Sequence, residues 1–162
     1  MSGLLMDKVA VILHGAHGVE VVKQLAKVTF GFGAGLFVLS KPTSAAAQTA
    51  VPEVGKLAFK QGKGFLVVPD LADVQELLSP SLSLFFVEGE KGEAFSEDEV
   101  LGALRQGYVA MFFSASEPGF SLKELERGRP VNLKLPGEVG CVATASIALF
   151  KVWSKIATAD SS

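Results

Sequence analysis

The sequence predicts a three-layer α/β domain on a parallel sheet, and two patterns carry that prediction. Short runs rich in Val, Leu and Phe recur without strict alternation of apolar and polar residues, as expected of strands covered on both faces. Segments of helical period separate them, and a regular strand–helix alternation places helices on both faces of one sheet. The 162 residues, 49% hydrophobic and 20% charged, suffice for one domain with a substantial core. Residues 1–157 are expected to form it, with the polar "TADSS" at 158–162 as a disordered tail.

The first strand is expected over "KVAVILHG", Lys8 to Gly15, followed by a helix from Val19 to Thr29. "GLFVLSK" (Gly35 to Lys41) and "GFLVVPD" (Gly64 to Asp70) give the second and third strands, with helices at about Ala45 to Lys60 and at Ala72 to Leu78. "LSLFFVEG" (Leu82 to Gly89) and "YVAMFFS" (Tyr108 to Ser114) flank a helix at Glu97 to Gln106. A short helix at Leu122 to Arg127, a strand "VNLKL" at Val131 to Leu135 and a long helix at Val139 to Lys155 complete the chain. Two helix starts carry capping boxes, Ser96 with Glu99 and Ser121 with Glu124, in which the Ser satisfies an orphan amide and the Glu reaches back.

A net charge of −2 supplies no global attraction for nucleic acid, so such a partner needs a local basic face. Lys23, Lys27, Arg127 and Arg129, with Lys56, Lys60 and Lys63, are the candidates for one. The lone Cys141, in an apolar helix without a paired His, reads as a buried structural thiol. No charged leader and no apolar run of about 18 residues is read from the sequence, so a soluble, cytoplasmic protein without a membrane partner is expected.

Ligands of such sheets bind at the carboxyl ends of the strands, where this chain concentrates its unusual turns: "VEGEKG", "SASEPG" and "PGEVG". Gly119, Gly137 and Gly140 let backbone approach a ligand closely. The absence of GxxxxGK[ST] argues against a triphosphate site. His14 and His17, in "HGAHG", lack further His or Cys to complete a zinc set, although Asp or Glu completion stays open. No metal is assigned, and a substrate-facing role for the pair is kept. "GFGAG" precedes its strand and reads as a tight return, not a dinucleotide loop.

The segment "MFFSASEPGFSLKELERGRPVNLKLPGEVGCVATASIALFKVW" resembles the carboxyl-terminal signature of the SPOUT (SpoU-like) α/β-knot RNA methyltransferases. Ser116, Glu117, Gly119, Phe120 and Ser121 fill the family's turn, Leu135, Pro136 and Gly137 end its strand, and Ala143 to Phe150 form its small-residue helix. The resemblance implies a carboxyl-terminal trefoil knot whose three loops wrap S-adenosylmethionine. The residues it assigns to the cofactor are Val87, Glu88, Gly89, Ser114, Gly119, Leu135, Gly137 and Gly140. Aligning Phe32-Gly33 with the family's Phe-Gly puts Lys27 at the position of a catalytic arginine and Val21 at that of an Asn. "EVGCV" replaces the family's Ser-Leu-Asn-x-Ser, which puts ribose 2′-O-methylation in doubt more than cofactor binding.

The resulting expectation is an S-adenosylmethionine-dependent methyltransferase of tRNA or rRNA, on base or ribose. Lys27, Glu117 and His17 are its catalytic candidates, and His14, Lys23, Arg127 and Arg129 its substrate contacts. A homodimer is expected through the last helix, whose second apolar stripe exceeds what its own sheet covers. Two alternatives stand beside it. One is a knotted S-adenosylmethionine- or RNA-binding protein without catalysis. The other is a metal-dependent nuclease, set lower because Glu88, Glu90 and Lys91 alternate wrongly for a Glu-x-Lys strand.

Overall fold

A computed structural model describes residues 2–116 and 119–161 of the chain. In chain order the elements are α1 (Ser2–Met6), β1 (Val9–His14), α2 (Val19–Gly31), β2 (Leu36–Ser40), α3 (Ser44–Gln61), β3 (Gly64–Val68), α4 (Leu71–Leu78), β4 (Leu82–Phe86) and β5 (Glu93–Ala94). They continue with α5 (Glu97–Leu104), β6 (Val109–Ser114), α6 (Leu122–Leu125), β7 (Arg129–Asn132) and α7 (Cys141–Ser161). The seven strands form one sheet in the order β3-β2-β1-β6-β4-β7-β5, and its pairings are parallel.

The lack of alternation in the strand sequences has its cause in two cores. Val9, Val11 and Leu13 of β1 join the larger cluster, with Leu25 of α2, Val54 of α3, Val100 of α5 and Leu149 of α7. Ala10 and Ile12 point to the other face, where they meet Leu71 and Val74 of α4, with Phe120 and Leu125 packed alongside. A strand that feeds both clusters must be apolar at every position.

Several boundaries differ from those expected. The last strand is β7, Arg129–Asn132, in place of Val131 to Leu135. Pro130 reads as a boundary because it lacks an N–H, yet it sits in register beside Phe85. The chain leaves the sheet at Asn132, whose side-chain amide donates to the carbonyls of Gly89 (2.6 Å) and Lys91 (3.0 Å) while its oxygen accepts from the Lys134 N–H (2.7 Å). Helix α7 starts at Cys141 because Gly140, at φ 87°, stands in the left-handed region. It runs to Ser161, so the segment expected as a tail is helical through that residue. Of the two capping boxes, Ser121/Glu124 is reciprocal, whereas at Ser96 only the amide-to-Ser half forms. Glu99 is drawn away by Arg129.

Helix α7 buries Ala145, Ala148, Leu149, Val152 and Ile156, which takes in Ala145 and Leu149 of the stripe expected over Val142, Ala145, Leu149 and Trp153. Phe150 and Trp153 remain 52% and 41% exposed. By length and composition Cys141–Ala159 is long and apolar enough to cross a membrane, contrary to the sequence expectation. Its buried stripe, however, packs on α2 and α5 as a core element.

Candidate metal centre and adjoining cleft

The order in which strands are laid down reverses between β1 and β6: β1 leads outward to β2 and β3, while β6 lies on its other side, parallel to it. Such a switch point opens a crevice at the carboxyl ends of the strands. His14, the last residue of β1, stands there beside Ser114 of β6 and Ser40 of β2 in register. Even-numbered like Ala10 and Ile12, it projects onto the α4/α6 face, and it is only 5% exposed.

The imidazole is held on three sides. Its Nδ1 lies 3.0 Å from Ser40 Oγ, its Nε2 lies 2.8 Å from Glu124 Oε2, and the Phe120 ring stacks on it at 5.9 Å. Glu124 divides its carboxylate between two tasks, since Oε1 accepts the Ser121 N–H at 2.8 Å to close the capping box of α6. Asp70 completes the group from the N-cap of α4, where it accepts the Leu71 N–H at 2.7 Å. Among the described residues, one set of His and carboxylate side chains has its donor atoms within 4.8 Å of one another: His14, Asp70 and Glu124. One imidazole nitrogen with two carboxylates is a donor set that suits a divalent first-row ion or Mg²⁺.

A cleft of about 640 Å³ adjoins the trio, sharing Phe120 and Leu125 with its surroundings. Five of the residues expected to hold a cofactor line it: Val87, Glu88, Ser114, Gly119 and Gly140. Gly89, Leu135 and Gly137 line instead a neighbouring crevice of about 20 Å³, which also borders Val87 and Glu88. Gly119 is glycine for its backbone, at φ 96°, and the Gly140 N–H is taken by Glu88 Oε1 at 3.2 Å. Cys141 lines the same cleft half-buried, and burial pushes its thiol pKa up. Alkylation at neutral pH is therefore expected to run well below the rate of a free cysteine, which timed mass spectrometry with iodoacetamide would measure.

The remaining expected residues disperse. Glu117 lies outside the described residues. His17 is exposed on the loop after β1, where its carbonyl accepts from Thr43 Oγ1 at 3.4 Å. Lys27 is not at the carboxyl edge. It lines a groove of about 610 Å³ between α2 and α3 with Lys23, Lys56 and Lys60. Eight residues along α2 from Val19 carry it about 12 Å away from that edge. Lys23 there bridges Glu53 (3.1 Å) and Glu20 (3.6 Å), which raise its pKa. Arg127 hydrogen-bonds Gln75 of α4, and Arg129 pairs with Glu99 and Glu93, which raise its pKa further. No single phosphate-binding face unites these cations, because α2 and α4 cover opposite faces of the sheet. Lys27→Ala is accordingly expected to change catalytic turnover by less than about twofold, within the range of an exposed helix substitution. Steady-state rates against any cleaved substrate would check it.

Asp70 and Glu124 are the residues that sequence reasoning passed over. Each carried a signal, Asp70 as the last residue of a predicted strand segment and Glu124 as a capping-box acid, but each signal is fully explained by local structure. Their approach to His14, which for Glu124 spans 110 positions, is a property of the sheet.

The chain matches the family described as RecB-family nuclease (DUF2122) over residues 44–151. A protein of Aeropyrum pernix named as a candidate type II restriction enzyme is 32% identical over 140 residues, 86% of this chain and 88% of that one. One of Methanocaldococcus jannaschii, named likewise, is 29% identical over 152 residues, 93% of this chain and 100% of its own. In three dimensions the chain is similar to a candidate methyltransferase of Bordetella pertussis, with TM-score 0.75 at 15% identity over 96% of this chain and 98% of that one. It is also similar to the SpoU methyltransferase AviRb of Streptomyces viridochromogenes, solved with AdoMet, with TM-score 0.72 at 11% identity over 94% of this chain and 62% of that one.

The fold expected from the SPOUT resemblance is thus present, as an α/β domain with a parallel sheet. The function expected from it is corrected. Sequence relatives covering most of the chain are nuclease-family proteins, which overturns the S-adenosylmethionine-dependent RNA methyltransferase. What the chain shares with the resembled family is its fold, and one fold hosts more than one chemistry.

Proposed function

The chain belongs to the RecB-family nuclease family (DUF2122), and on that premise we propose that it hydrolyses phosphodiester bonds of nucleic acid at His14, Asp70 and Glu124 with a divalent metal. The observation that carries this reading is the convergence of those three donors at the switch point of the sheet. His14, Asp70 and Glu124 would hold the ion there, and it would supply Lewis-acid stabilisation of charge on a phosphoryl oxygen. The protein's part is positioning: β1 fixes His14, the N-cap of α4 presents Asp70, and the capping box holds the Glu124 carboxylate to one orientation. Phe120 excludes water from one face of the imidazole. The two curated relatives are named as restriction enzymes, so double-stranded DNA is the first substrate to test, with RNA as the second.

The test is incubation of purified protein with genomic DNA and with total RNA, in Mg²⁺ or Mn²⁺, with and without EDTA. Metal-dependent chain cleavage abolished by EDTA is expected. Intact DNA and RNA under every metal condition, or cleavage indifferent to EDTA, would contradict the reading.

The cleft supports a second reading, that of a bound S-adenosylmethionine with no methyl transfer implied. Its favouring observation is the cleft of about 640 Å³ formed by the loops after β4 and β6 and the start of α7, in a fold shared with a protein solved with AdoMet. Calorimetry decides it, and a bound ligand should shield Cys141 from alkylation. We infer also a threaded carboxyl-terminal knot, supported by the return of α7 onto α2 and α5 after β7 has entered between β4 and β5. The exposed Phe150 and Trp153 support a homodimer, which sedimentation would test.

A further inference from the structure

We propose that Ser40 is a positioning residue that selects which nitrogen of His14 is free to bind the metal, an inference that rests on the metal-centre reading above. Ser40 ends β2 with no exposed surface, and its carbonyl accepts the Gly15 N–H at 3.0 Å, so its backbone is pinned beside His14. Its hydroxyl, 3.0 Å from Nδ1, has His14 as its side-chain hydrogen-bond partner among the described residues.

A neutral imidazole donates from one nitrogen and accepts at the other, whereas a hydroxyl does either by rotating. With the proton on Nε2, His14 donates to Glu124 Oε2 at 2.8 Å and accepts from Ser40 at Nδ1, so all three groups are satisfied without an ion. Binding an ion through Nε2 requires the other tautomer, in which Nδ1–H donates to Ser40 Oγ and the Nε2 lone pair faces outward. The change of tautomer gives the Nε2 proton to solvent and takes one from solvent at Nδ1, while the Ser40 hydroxyl rotates to accept. Loss of the Nε2 proton releases Glu124 Oε2 from its hydrogen bond, so imidazole and carboxylate become available together. A carboxylate or carbonyl at this position would support only the metal-binding tautomer, and an alanine would support neither. The stacked Phe120 ring keeps the imidazole plane in place, so the exchange moves protons and leaves the ring where it is.

Two measurements on the full chain test this. Long-range ¹H–¹⁵N spectra of histidine-labelled protein distinguish the tautomers, and the chain has 2 histidines, of which the exposed His17 serves as the internal reference. The expected result is an Nε2–H tautomer for His14 without metal, converted to Nδ1–H by saturating Zn²⁺. Mn²⁺ titration followed by electron paramagnetic resonance should show Ser40→Ala weaker by about 10–100-fold, the range for removing an outer hydrogen-bond partner of a ligating imidazole. Ser40→Thr, which restores the hydroxyl, should recover affinity to within about threefold of wild type on the same scale. Equal affinity in Ser40→Ala, with wild type binding Mn²⁺, would overturn the role of Ser40 alone. An unchanged His14 tautomer on Zn²⁺ binding would do the same without recourse to any variant. Absence of Mn²⁺ binding to wild type would instead overturn the metal centre itself, and this inference with it.

Discussion

Asp70→Asn and Glu124→Gln are each expected to lower metal-dependent cleavage at least about 100-fold, a loss of about 2.7 kcal/mol in transition-state stabilisation. Both substitutions spare the fold for a stated reason. Asn serves as a helix N-cap as well as Asp does, so α4 keeps its first turn. Gln retains an oxygen for the Ser121 N–H, so the α6 turn also survives. Each change also removes one of two carboxylates that face each other around His14, which relieves like-charge repulsion in the metal-free protein. The melting temperature of metal-free Asp70→Asn should therefore equal or exceed that of wild type, whereas Glu124→Gln, which also replaces the acceptor of His14 Nε2–H, should melt about 1–6 °C lower. A metal that binds only the folded state raises wild-type stability by mass action, and that increment should vanish in the variants. Parallel kinetics and melting curves would check both halves. Loss of activity with an unchanged metal-induced rise in melting temperature would place the ion elsewhere.

Phe85→Ala is expected to cost about 3–5 kcal/mol of stability, the range for truncating a buried aromatic. Phe85 has no exposed surface, stacks on Phe112 at 4.3 Å with an interplanar angle of 2°, and meets the edge of Phe120 at 5.0 Å. Gly128 lies tight against it, since a Cβ on Gly128 would fall 2.7 Å from a Phe85 ring carbon and 2.7 Å from the Ser83 carbonyl. For a chain of this length the loss corresponds to a fall of roughly 6–20 °C in melting temperature, readable by circular dichroism. Because Phe120 carries the imidazole on its other side, the surviving folded protein should also bind metal more weakly than wild type. A melting temperature within about 2 °C of wild type would show that the α4/α6 core is looser than its ring geometry indicates.

The sheet was legible in the sequence because burial on both faces leaves a mark at every position: β1, β2 and β6 are unbroken apolar runs and fall where expected, within a residue at each end. Edges left no such mark. β5 has two residues, Glu93 and Ala94, both exposed, and no pattern distinguishes them from loop. The shift of β7 came from a proline that pairs through its carbonyl side and an asparagine that turns the chain by side-chain hydrogen bonds, neither of which periodicity reports. The site was half legible. The carboxyl-end loops were expected to converge, and Val87, Glu88, Ser114, Gly119 and Gly140 do line one cleft. Lys27 lies apart from that cleft, because aligning a motif fixes a residue's place along a helix without fixing which groove that helix face borders. The His14–Asp70–Glu124 group could not be read at all from spacing. Its members come from the end of β1, the N-cap of α4 and the α6 turn, and only the parallel sheet with its crossovers brings them together.

The most direct measurement is the anomalous difference map of a crystal soaked in Mn²⁺. A single strong peak among His14 Nε2, the Asp70 carboxylate and Glu124 Oε2, absent from Glu124→Gln crystals soaked in the same way, is the predicted result. A map in which those three side chains keep their metal-free hydrogen bonds, with no peak between them at a Mn²⁺ concentration that supports cleavage, would contradict it.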